Sequence, residues 1–328
     1  MSLNKPHLKV HNVQDVQKEN VQNMAILETL QILSELLWFF IKLIYYWAEC
    51  LYLKICPLPP VSVEGEIVLI TGTGHGIGRE LAKIYSSKGA TVVGWDINKQ
   101  TNEETIKEIN ESGGRPKAYS FQCDITDRES VLATAKEVRA RVGDVTILIN
   151  NAGIMPCHPL DQHTPNEIET IIKVNLLAHF WLIEAFLPSM KRNNHGHIVS
   201  MSSMAGMIGF PNLVPYCASK YAVRGYMEAL HEELRLGNPN NKIELTSICP
   251  YMVDTGLCKR PKIKFERLMA LLSPKDVAEQ ILKAQTTRQK EITLPGYLAS
   301  LTLFGRMLPN NASLDLKDTF EAFVESDL

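Results

Sequence analysis

One stretch decides the fold of this 328-residue chain: Glu66-Ile-Val-Leu-Ile-Thr-Gly-Thr-Gly-His-Gly-Ile-Gly78. Its first six residues form an apolar, β-branched run that is typical of a strand buried on both faces of a parallel sheet. The glycines follow at once, and residues 76–88 have the pattern of a helix. Gly72 permits a sharp turn, Gly76 lets the backbone approach a ligand closely, and Gly78 permits tight helix–strand packing. A strand, a glycine-rich turn and a helix in this order predict a pyrophosphate site at the helix N-terminus.

The alternation of strands and helices continues from Gly65 to Leu294. Apolar, β-branched runs predict further strands at residues 91–95, 116–121, 145–150, 197–201, 243–248 and 291–294, and the helices between them include residues 165–190 and 216–236. This order predicts right-handed βαβ crossovers and a parallel sheet covered on both faces. We therefore predict an α/β fold, a doubly wound parallel sheet of the Rossmann type, for an NAD(P)-binding domain at residues 61–296. Residues 297–328 are predicted to be an apolar C-terminal extension and tail.

The second predicted strand ends at Asp96, eighteen positions beyond Gly78. A carboxylate in this place accepts hydrogen bonds from an adenosine ribose hydroxyl and repels a 2′-phosphate, so it favours NAD over NADP. The alternative interpretation is a solvated carboxylate at a strand end. His75 and Arg79 are nearby cations that would weaken the discrimination.

A second motif, Tyr216-Cys-Ala-Ser-Lys220, carries a phenol and an ammonium four residues apart, and therefore on one face of a helix. It follows Ser202-Ser203, which come directly after a predicted strand. Transfer of a hydride to or from an alcohol carbon also moves a proton at the oxygen. Free tyrosine has a pKa of ~10, and lowering it by ~3 units requires ~4 kcal/mol. We expect Lys220, together with an oxidised nicotinamide, to supply this as neighbouring positive charge, so that Tyr216 acts as acid and base.

In this order the motifs resemble those of the short-chain dehydrogenases/reductases. The resemblance implies that Ser203, thirteen residues before Tyr216, orients the substrate oxygen in preference to Ser202. It also implies that the backbone carbonyl of Asn175 orders a water leading to Lys220. Catalysis is thus assigned to Ser203, Tyr216, Lys220 and Asn175, and cofactor binding to Gly72, Gly76, Ile77, Gly78, Asp96, Asp124, Ile125, Asn151, Ala152, Gly153, Tyr216, Lys220, Pro250 and Thr255. The chain departs from the family at Pro250-Tyr251, where the family usually has Pro-Gly.

The first sixty residues differ from the rest. Residues 1–23 are polar and are predicted to be a loose tail, whereas residues 24–60 are predicted to be a membrane-anchoring helix and a proline-rich linker. Four charges, Glu28, Glu35, Lys42 and Glu49, recur every seven residues and so form one stripe on a helix. A charge at mid-membrane costs ~2.5–3.5 kcal/mol, so we favour an amphipathic helix lying in the interface over a transmembrane span. Packing on its own domain or on a second subunit is the alternative.

Several segments, among them Trp95–Lys99, Gly143–Ile147 and Asn194–Val199, are similar to a membrane-associated branch of the family. That resemblance implies a lipophilic alcohol or carbonyl as substrate, such as a retinoid or hydroxysteroid. It also implies attachment of residues 24–56 to the endoplasmic reticulum or lipid droplets, a domain facing the cytosol, and a homodimer. Residues 251–272 are the expected substrate lid and residues 297–308 an apolar patch at the entrance or on lipid, although both suit a core or a subunit contact. The rival function is a lipid-surface binding protein without catalysis.

Composition excludes other classes. The chain has 34 basic and 36 acidic side chains, and this net charge of −2 predicts no binding to nucleic acid. The seven cysteines include no Cys-x-x-Cys pair, which indicates buried thiols in a reducing compartment. His195 and His197 have no cysteine or carboxylate at ligand spacing beside them, so the sequence predicts no metal site.

Overall fold

The computed structural model describes residues 13–56, 59–113, 117–265, 269–320 and 322–327. The chain divides into two compact units, residues 1–59 and residues 60–328. The described residues of the first unit form one helix, α1 (Val13–Ile55), of 43 residues. It begins before Met24, so residues 13–23 are helical and not part of a loose tail, since no proline or glycine interrupts the stretch. The first half of the predicted tail and Pro57-Leu58 of the linker lie outside the described residues.

The surface of α1 combines a charged stripe with exposed apolar groups. Glu28, Glu35, Lys42 and Glu49 follow one line along the unbroken helix, and Gln31 donates from Nε2 to Glu35 Oε1 at 3.0 Å. The large side chains around this stripe are exposed, among them Trp38, Phe39, Phe40, Tyr45, Tyr46, Trp47 and Tyr52. A helix that presents so much apolar surface needs a partner surface to cover it.

Two helical stretches in the described part of the chain are long and apolar enough to cross a membrane, Asn20–Leu53 and Pro165–Asn193. The most apolar part of the first stretch is 0% buried inside the structure, whereas that of the second is 44% buried. The second stretch supplies Leu182 and Phe186 to the core, so its apolar character is explained by packing. The first is the candidate membrane anchor.

The second unit is an α/β domain. Its strands are β1 (Ile67–Thr71), β2 (Thr91–Asp96), β3 (Tyr119–Gln122), β4 (Ile147–Asn150), β5 (Gly196–Met201), β6 (Ile243–Pro250), β7 (Pro261–Ile263), β8 (Glu291–Leu294) and β9 (Ala322–Val324). Its helices are α2 (Gly76–Ser87), α3 (Lys99–Glu111), α4 (Arg128–Arg141), α5 (Pro165–Ile172), α6 (Ala178–Asn193), α7 (Val214–Gly237), α8 (Pro274–Thr286), α9 (Tyr297–Met307) and α10 (Asn310–Phe320). Seven strands form one parallel sheet in the order β3-β2-β1-β4-β5-β6-β8. The predicted doubly wound parallel sheet is thereby confirmed.

The core fills both faces of this sheet because neighbouring strand residues point to opposite sides. In β1, Val68 and Ile70 pack with α2, α3 and α8, whereas Leu69 packs with α4, α6 and α7 on the other face. All three side chains are fully buried, and each such burial stabilises the fold by about 1.5–3 kcal/mol. The order of the strands reverses between β1 and β4, and in such folds ligands bind at this point, beyond the carboxyl ends of the strands.

The helix predicted over residues 165–190 is interrupted. Helix α5 ends at Ile172, residues Lys173–Leu177 form a π-helical turn, and α6 follows from Ala178. A π-turn places one extra residue in the helix and frees a backbone carbonyl, and such turns are frequent at functional sites. Periodicity alone does not reveal it, since the apolar pattern continues on both sides.

The two histidines around Gly196 have separate roles in packing. His195 Nε2 lies 3.0 Å from Glu66 Oε1 on the surface, while His197 Nε2 lies 2.8 Å from Thr246 Oγ1 inside the sheet. Burial lowers the pKa of His197 to about 3, which keeps this imidazole neutral at physiological pH. Both histidines are therefore structural residues at the start of β5.

The C-terminal residues return to the domain. After α9 and α10, strand β9 pairs antiparallel with β7, with Pro261 opposite Val324 and Ile263 opposite Ala322. Beyond the strand, Cys157 donates from Sγ toward Glu325 O at 3.3 Å. The segment predicted as an extension and tail is therefore two helices followed by a strand that closes one side of the domain.

Candidate active site

A cavity of about 540 Å³ opens at the carboxyl ends of the central strands. The predicted site residues on its wall are Gly72, Gly76, Ile77, Asp96, Asp124, Ile125, Asn151, Ala152, Gly153, Ser203, Tyr216, Lys220, Pro250 and Thr255. Residues far apart in sequence thus meet because the strands that carry them are parallel and end at one edge. Gly78 and Asn175 lie behind this wall, in contact with residues that form it.

The glycine-rich turn has the backbone that its sequence predicts. Gly72 has a φ of +77° and Gly76 a φ of +60°, a left-handed conformation that favours glycine. A β carbon at Gly76 would stand 3.1 Å from Thr255 Cγ2, so the turn and the loop after β6 meet closely over the cavity. His75 precedes α2 without a side-chain capping bond, which leaves the first N–H groups of the helix to a ligand.

Gly78 is the tightest contact of the turn. A β carbon there would stand 2.0 Å from Gly72 O and 2.7 Å from Asn151 Nδ2. Asn151 in turn donates from Nδ2 to Thr71 O at 2.9 Å, which joins the end of β4 to the end of β1. Only a residue without a side chain lets α2 start this close to the strands.

Asp96 ends β2 with its carboxylate held by two backbone amides. Oδ2 accepts from Gly74 N at 2.8 Å, and Oδ1 accepts from Asn98 N at 2.9 Å. Arg79, one of the two cations expected to weaken discrimination, forms an ion pair with Glu108 on α3. Asp96 therefore stands on the cavity wall beside the turn, and His75 lines the same wall.

Asp124 and Ile125 form the neighbouring part of the wall. Asp124 Oδ1 accepts from Thr126 N at 2.9 Å and from Thr126 Oγ1 at 2.7 Å, which fixes the loop after β3. These residues lie at the β3 side of the sheet, and Pro250 and Thr255 lie at the β6 side. A dinucleotide spans such a distance across the switch point of the sheet.

Tyr216 and Lys220 lie on one face of α7, as predicted. Lys220 Nζ is 5.6 Å from the centroid of the Tyr216 ring and donates to Met201 O at 2.7 Å. Ser203, two residues beyond the end of β5, donates to Pro250 O at 3.4 Å and lies beside Tyr216, whose pKa its hydroxyl lowers. Ser202 instead donates to Lys220 O at 2.9 Å, so its hydroxyl supports α7 and is occupied.

Burial dominates the electrostatics of Tyr216 and Lys220. Burial raises the pKa of Tyr216 to about 12, opposed by Ser203, and burial lowers the pKa of Lys220 to about 8. Removal from water disfavours the charged form of each group. In the protein by itself Tyr216 is a protonated phenol at neutral pH, and a lowered pKa of Tyr216 beside Lys220 and an oxidised nicotinamide stays a prediction.

Asn175 lies in the π-turn and is fully buried. Its Oδ1 accepts from Ile154 N at 2.9 Å, and its Nδ2 donates to Ile154 O at 2.9 Å. The amide thereby clamps the loop after β4, while Gly153 beside it approaches both Asn175 and Lys220. The side chain of Asn175 thus holds the loop that forms part of the site. The π-turn leaves a backbone carbonyl oxygen without a helical hydrogen bond next to Lys220.

These residues fit a nicotinamide dinucleotide. Gly72, Gly76 and Gly78 leave a cradle at an uncapped helix N-terminus that suits a pyrophosphate. Asp96 offers carboxylate oxygens to ribose hydroxyls, and Lys220 offers donors for the second ribose. The donor set and the shape of the turn therefore match the group.

The remaining wall of the cavity is apolar, and most of it was not predicted. It includes Met155, Met204, Phe210, Leu213, Tyr251, Met252, Leu257, Cys258 and Val324. Only residues 251–258 belong to the segment expected as a lid. The patch expected over residues 297–308 is divided: Leu298 is buried behind the cavity, whereas Phe304 and Met307 are exposed on the surface.

The sequence signal for Val324 is weak, since a lone valine near a polar end resembles a tail residue. Tyr251 replaces the family's glycine, and its hydroxyl is buried without a hydrogen-bond partner among the described residues. A hydroxyl in this state is available to a polar group of a bound molecule.

Comparison with known proteins identifies the family. The family model for short chain dehydrogenases matches residues 66–263. The chain belongs to this family. Short-chain dehydrogenase/reductase family 16C member 6 of Bos taurus is 39% identical over 277 residues, 84% of this chain and 87% of the relative. The human 17-beta-hydroxysteroid dehydrogenase 13 is 39% identical, over 90% of this chain and 98% of its own. Mouse epidermal retinol dehydrogenase 2 is 36% identical, over 90% and 95%.

Solved structures of the family share the fold. A short-chain dehydrogenase/reductase from Burkholderia phymatum in complex with NAD has a TM-score of 0.67 at 25% identity, over 78% of this chain and 96% of that one. A metagenomic short-chain oxidoreductase in complex with NADP has a TM-score of 0.60 at 28% identity, over 71% and 97%. This short-chain dehydrogenase is thus an NAD(P)-dependent oxidoreductase that transfers hydride to or from a small molecule.

The contact at Gly78 yields a first prediction. Replacing Gly78 by alanine places a methyl group against Gly72 O and should weaken NADH binding at least about tenfold, equivalent to ~1.4 kcal/mol. Titration of the protein with NADH, followed by cofactor fluorescence, measures this. Gly225→Ala is the matched control: nothing lies within 4 Å of its β carbon, and alanine is ~1 kcal/mol better than glycine in a helix. Equal NADH affinity in both variants would contradict the role of Gly78.

Proposed function

We propose that this short-chain dehydrogenase interconverts a lipophilic alcohol, such as a retinoid or hydroxysteroid, and its carbonyl compound, using NAD(H) at a membrane surface. The observation that carries the proposal is the position of Ser203, Tyr216 and Lys220 at the junction of two different walls. One wall has the glycine turn and the two aspartates, and the other is made of methionine, aromatic and leucine side chains. A polar reacting group on an apolar body fits such a junction.

The proton chemistry follows from the buried trio. When bound, the nicotinamide ring accepts or donates the hydride. Tyr216, a protonated phenol at neutral pH, donates its proton to the carbonyl oxygen during reduction and is left as the phenolate. During oxidation the phenolate form of Tyr216 takes the proton from the alcohol. Ser203 positions that oxygen and shares its developing charge. After reduction the Lys220 ammonium, next to the clamp that Asn175 forms, passes a proton to the phenolate and regains one from solvent, and this order is reversed for oxidation.

The substrate class rests on the apolar wall. Met155, Met204 and Met252 are flexible, polarizable side chains that adapt to irregular apolar ligands. Relatives of this chain are named as 17-beta-hydroxysteroid and retinol dehydrogenases, and both names denote alcohols on an apolar frame. These observations support a lipid alcohol as the substrate, and a panel of retinoids and steroids identifies which one.

The anchor and the oligomer complete the proposal. Helix α1 exposes its aromatic groups around a charged stripe, which supports an interfacial position at the endoplasmic reticulum or at lipid droplets, with the domain on the cytosolic side. Phe180 on α6 and Val214 and Tyr221 on α7 are large exposed apolar side chains. They support pairing of two copies through these helices.

The rival function, a lipid-surface binding protein without catalysis, is disfavoured by the buried Tyr216 and Lys220. A buried amine is costly to retain, because burial favours its neutral form. A binding protein without catalysis gains nothing from a buried amine, so the rival function does not explain why this cost is retained. Turnover of retinol, retinal and estradiol by the membrane-bound chain, with each cofactor, decides between the two functions.

Loss of the reacting phenol is the main test. Tyr216→Phe should lower turnover about 10²–10⁴-fold, since general acid–base catalysis contributes this much. NADH affinity, measured by titration, should stay close to that of the unaltered protein because the ring remains. Tyr221→Phe, on the same helix but exposed, is the control and should keep full turnover. A Tyr216→Phe enzyme that still turns over would refute the assignment.

Cofactor preference gives a separate prediction. Asp96→Asn keeps an oxygen that accepts from Gly74 N but removes the charge that repels a 2′-phosphate. The ratio of kcat/KM for NAD to that for NADP should fall roughly 10-fold, or ~1.4 kcal/mol. Asp144→Asn, which lies in a surface ion pair with Arg139, serves as control. An unchanged ratio, or an unaltered enzyme that prefers NADP, would exclude the proposed role of Asp96.

The anchor proposal is tested on the full chain. After expression from residue 1, the protein should pellet with membranes, whereas a chain that starts at Pro60 should remain in the supernatant. A helix lying in the interface keeps both ends on one side, so a membrane-impermeant maleimide should label Cys56 and a Gln22→Cys variant alike in intact microsomes. Peptide mass spectrometry identifies the labelled residues. Labelling of one end only would instead indicate a span.

A further inference from the structure

The loop between β4 and α5 brings two histidines and a carboxylate together outside the catalytic centre. His158 and His163 lie in the loop, and Glu167 lies in the first turn of α5. Their candidate ligand atoms all lie within 4.8 Å of one another. Both imidazoles are buried, with 7% and 8% of their surface exposed, and their ring centroids are 4.7 Å apart.

The imidazole nitrogens of this cluster lack partners. Within the described part of the chain, His163 Nδ1, His163 Nε2 and His158 Nδ1 are buried and make no hydrogen bond. A neutral imidazole has one donor and one acceptor, and leaving either unpaired in the interior is costly. A second histidine packed against the first does not remove this cost. The unpaired nitrogens therefore point to a bound group.

We propose that His158, His163 and Glu167 bind a zinc ion, with the fourth position left to water. Two imidazoles and one carboxylate are ligands that zinc takes at ~2.0–2.2 Å in a tetrahedral arrangement, which places ligand atoms ~3.3 Å apart. His158 Nε2 and Glu167 Oε1 are 3.3 Å apart.

The surrounding structure holds the carboxylate in place. Glu167 Oε2 accepts from Thr164 N at 2.9 Å and from Thr164 Oγ1 at 3.0 Å, which leaves Oε1 to the metal. Such support of a ligand by a neighbouring hydrogen bond is typical of metal sites. With two nitrogen ligands the set suits zinc better than magnesium or calcium, which prefer oxygen.

The site would tie together two parts of the cavity wall. Met155, three residues before His158, and Thr170, three residues after Glu167, both line the cavity. His158 N also donates to Asn212 O at 3.0 Å, in the segment that leads into α7. A zinc ion here fixes the substrate end of the cavity without touching the reacting atoms.

The sequence predicts no metal site, because ligand spacing alone does not indicate this cluster. The short 3-10 turn Leu160–Gln162 folds the chain back so that His163 approaches His158, and the capping box at Thr164 then places Glu167 beside them. Both features are local backbone conformations, and the spacing of metal-ligand residues in the sequence does not reveal them.

Zinc binding is measured on the full chain, without a histidine tag, in detergent micelles. After dialysis against zinc and then metal-free buffer, we expect one zinc per chain by mass spectrometry, and competition with a chromophoric chelator gives its affinity. His163→Gln and Glu167→Gln should each weaken zinc binding at least about tenfold; the second keeps the capping box because glutamine also forms it. His195→Gln, which removes the histidine of a His–Glu pair elsewhere, should bind zinc as the unaltered chain does.

NADH affinity reports folding of the variants, because the three ligands lie outside the cavity wall. Lost zinc with unchanged NADH binding supports the proposal. Absence of stoichiometric zinc from the unaltered chain, or equal zinc affinity in all variants, overturns it. If the two ligand variants fail to bind NADH, Co²⁺ added to the unaltered chain decides: the visible bands of a tetrahedral site, displaced by zinc, support the proposal, and their absence overturns it.

Discussion

The close approach of α2 to the first strand is the constraint on which the domain depends. Gly78 brings the helix so near to Gly72 that no β carbon fits between them. Because of this contact the helix N-terminus faces the edge of the sheet where β1 and β4 end. The amide of Asn151 then ties the second half of the sheet to the same turn. These contacts position the polar wall of the cavity around the glycine-rich turn.

Burial shapes the chemistry of the reacting trio. Burial disfavours the charged forms of both the Tyr216 phenol and the Lys220 amine, so the phenolate that accepts a proton from an alcohol is not formed in the protein alone. Its formation depends on what else occupies the cavity. Spacing in the sequence predicts the shared helix face of Tyr216 and Lys220, whereas the acidity of the phenol depends on burial and on the occupant of the cavity.

Much of the fold was predictable because its signals are local. The run from Ile67 to Gly78 contains strand, turn and helix within a few residues, and Tyr216 and Lys220 share a helix face by spacing alone. The choice of Ser203 came from the family pattern, and the structure places it beside Tyr216, whereas Ser202 donates to Lys220 O. Burial, by contrast, is a property of the assembled molecule, and so are the π-turn at Asn175, the contacts of Val324 and the histidine cluster. The early start of α1 was not predicted because residues 13–23 are polar, although they include no helix breaker.

The antiparallel pairing of β9 with β7 has a consequence for biosynthesis. Val324 belongs to the wall of a cavity whose other residues are translated long before it, from Gly72 onward. The other residues of the wall lie between positions 72 and 258 and are all synthesised earlier. During translation the glycine-rich turn and the catalytic side chains therefore come first, and the wall of the cavity is completed only when Val324 joins it near the end of synthesis.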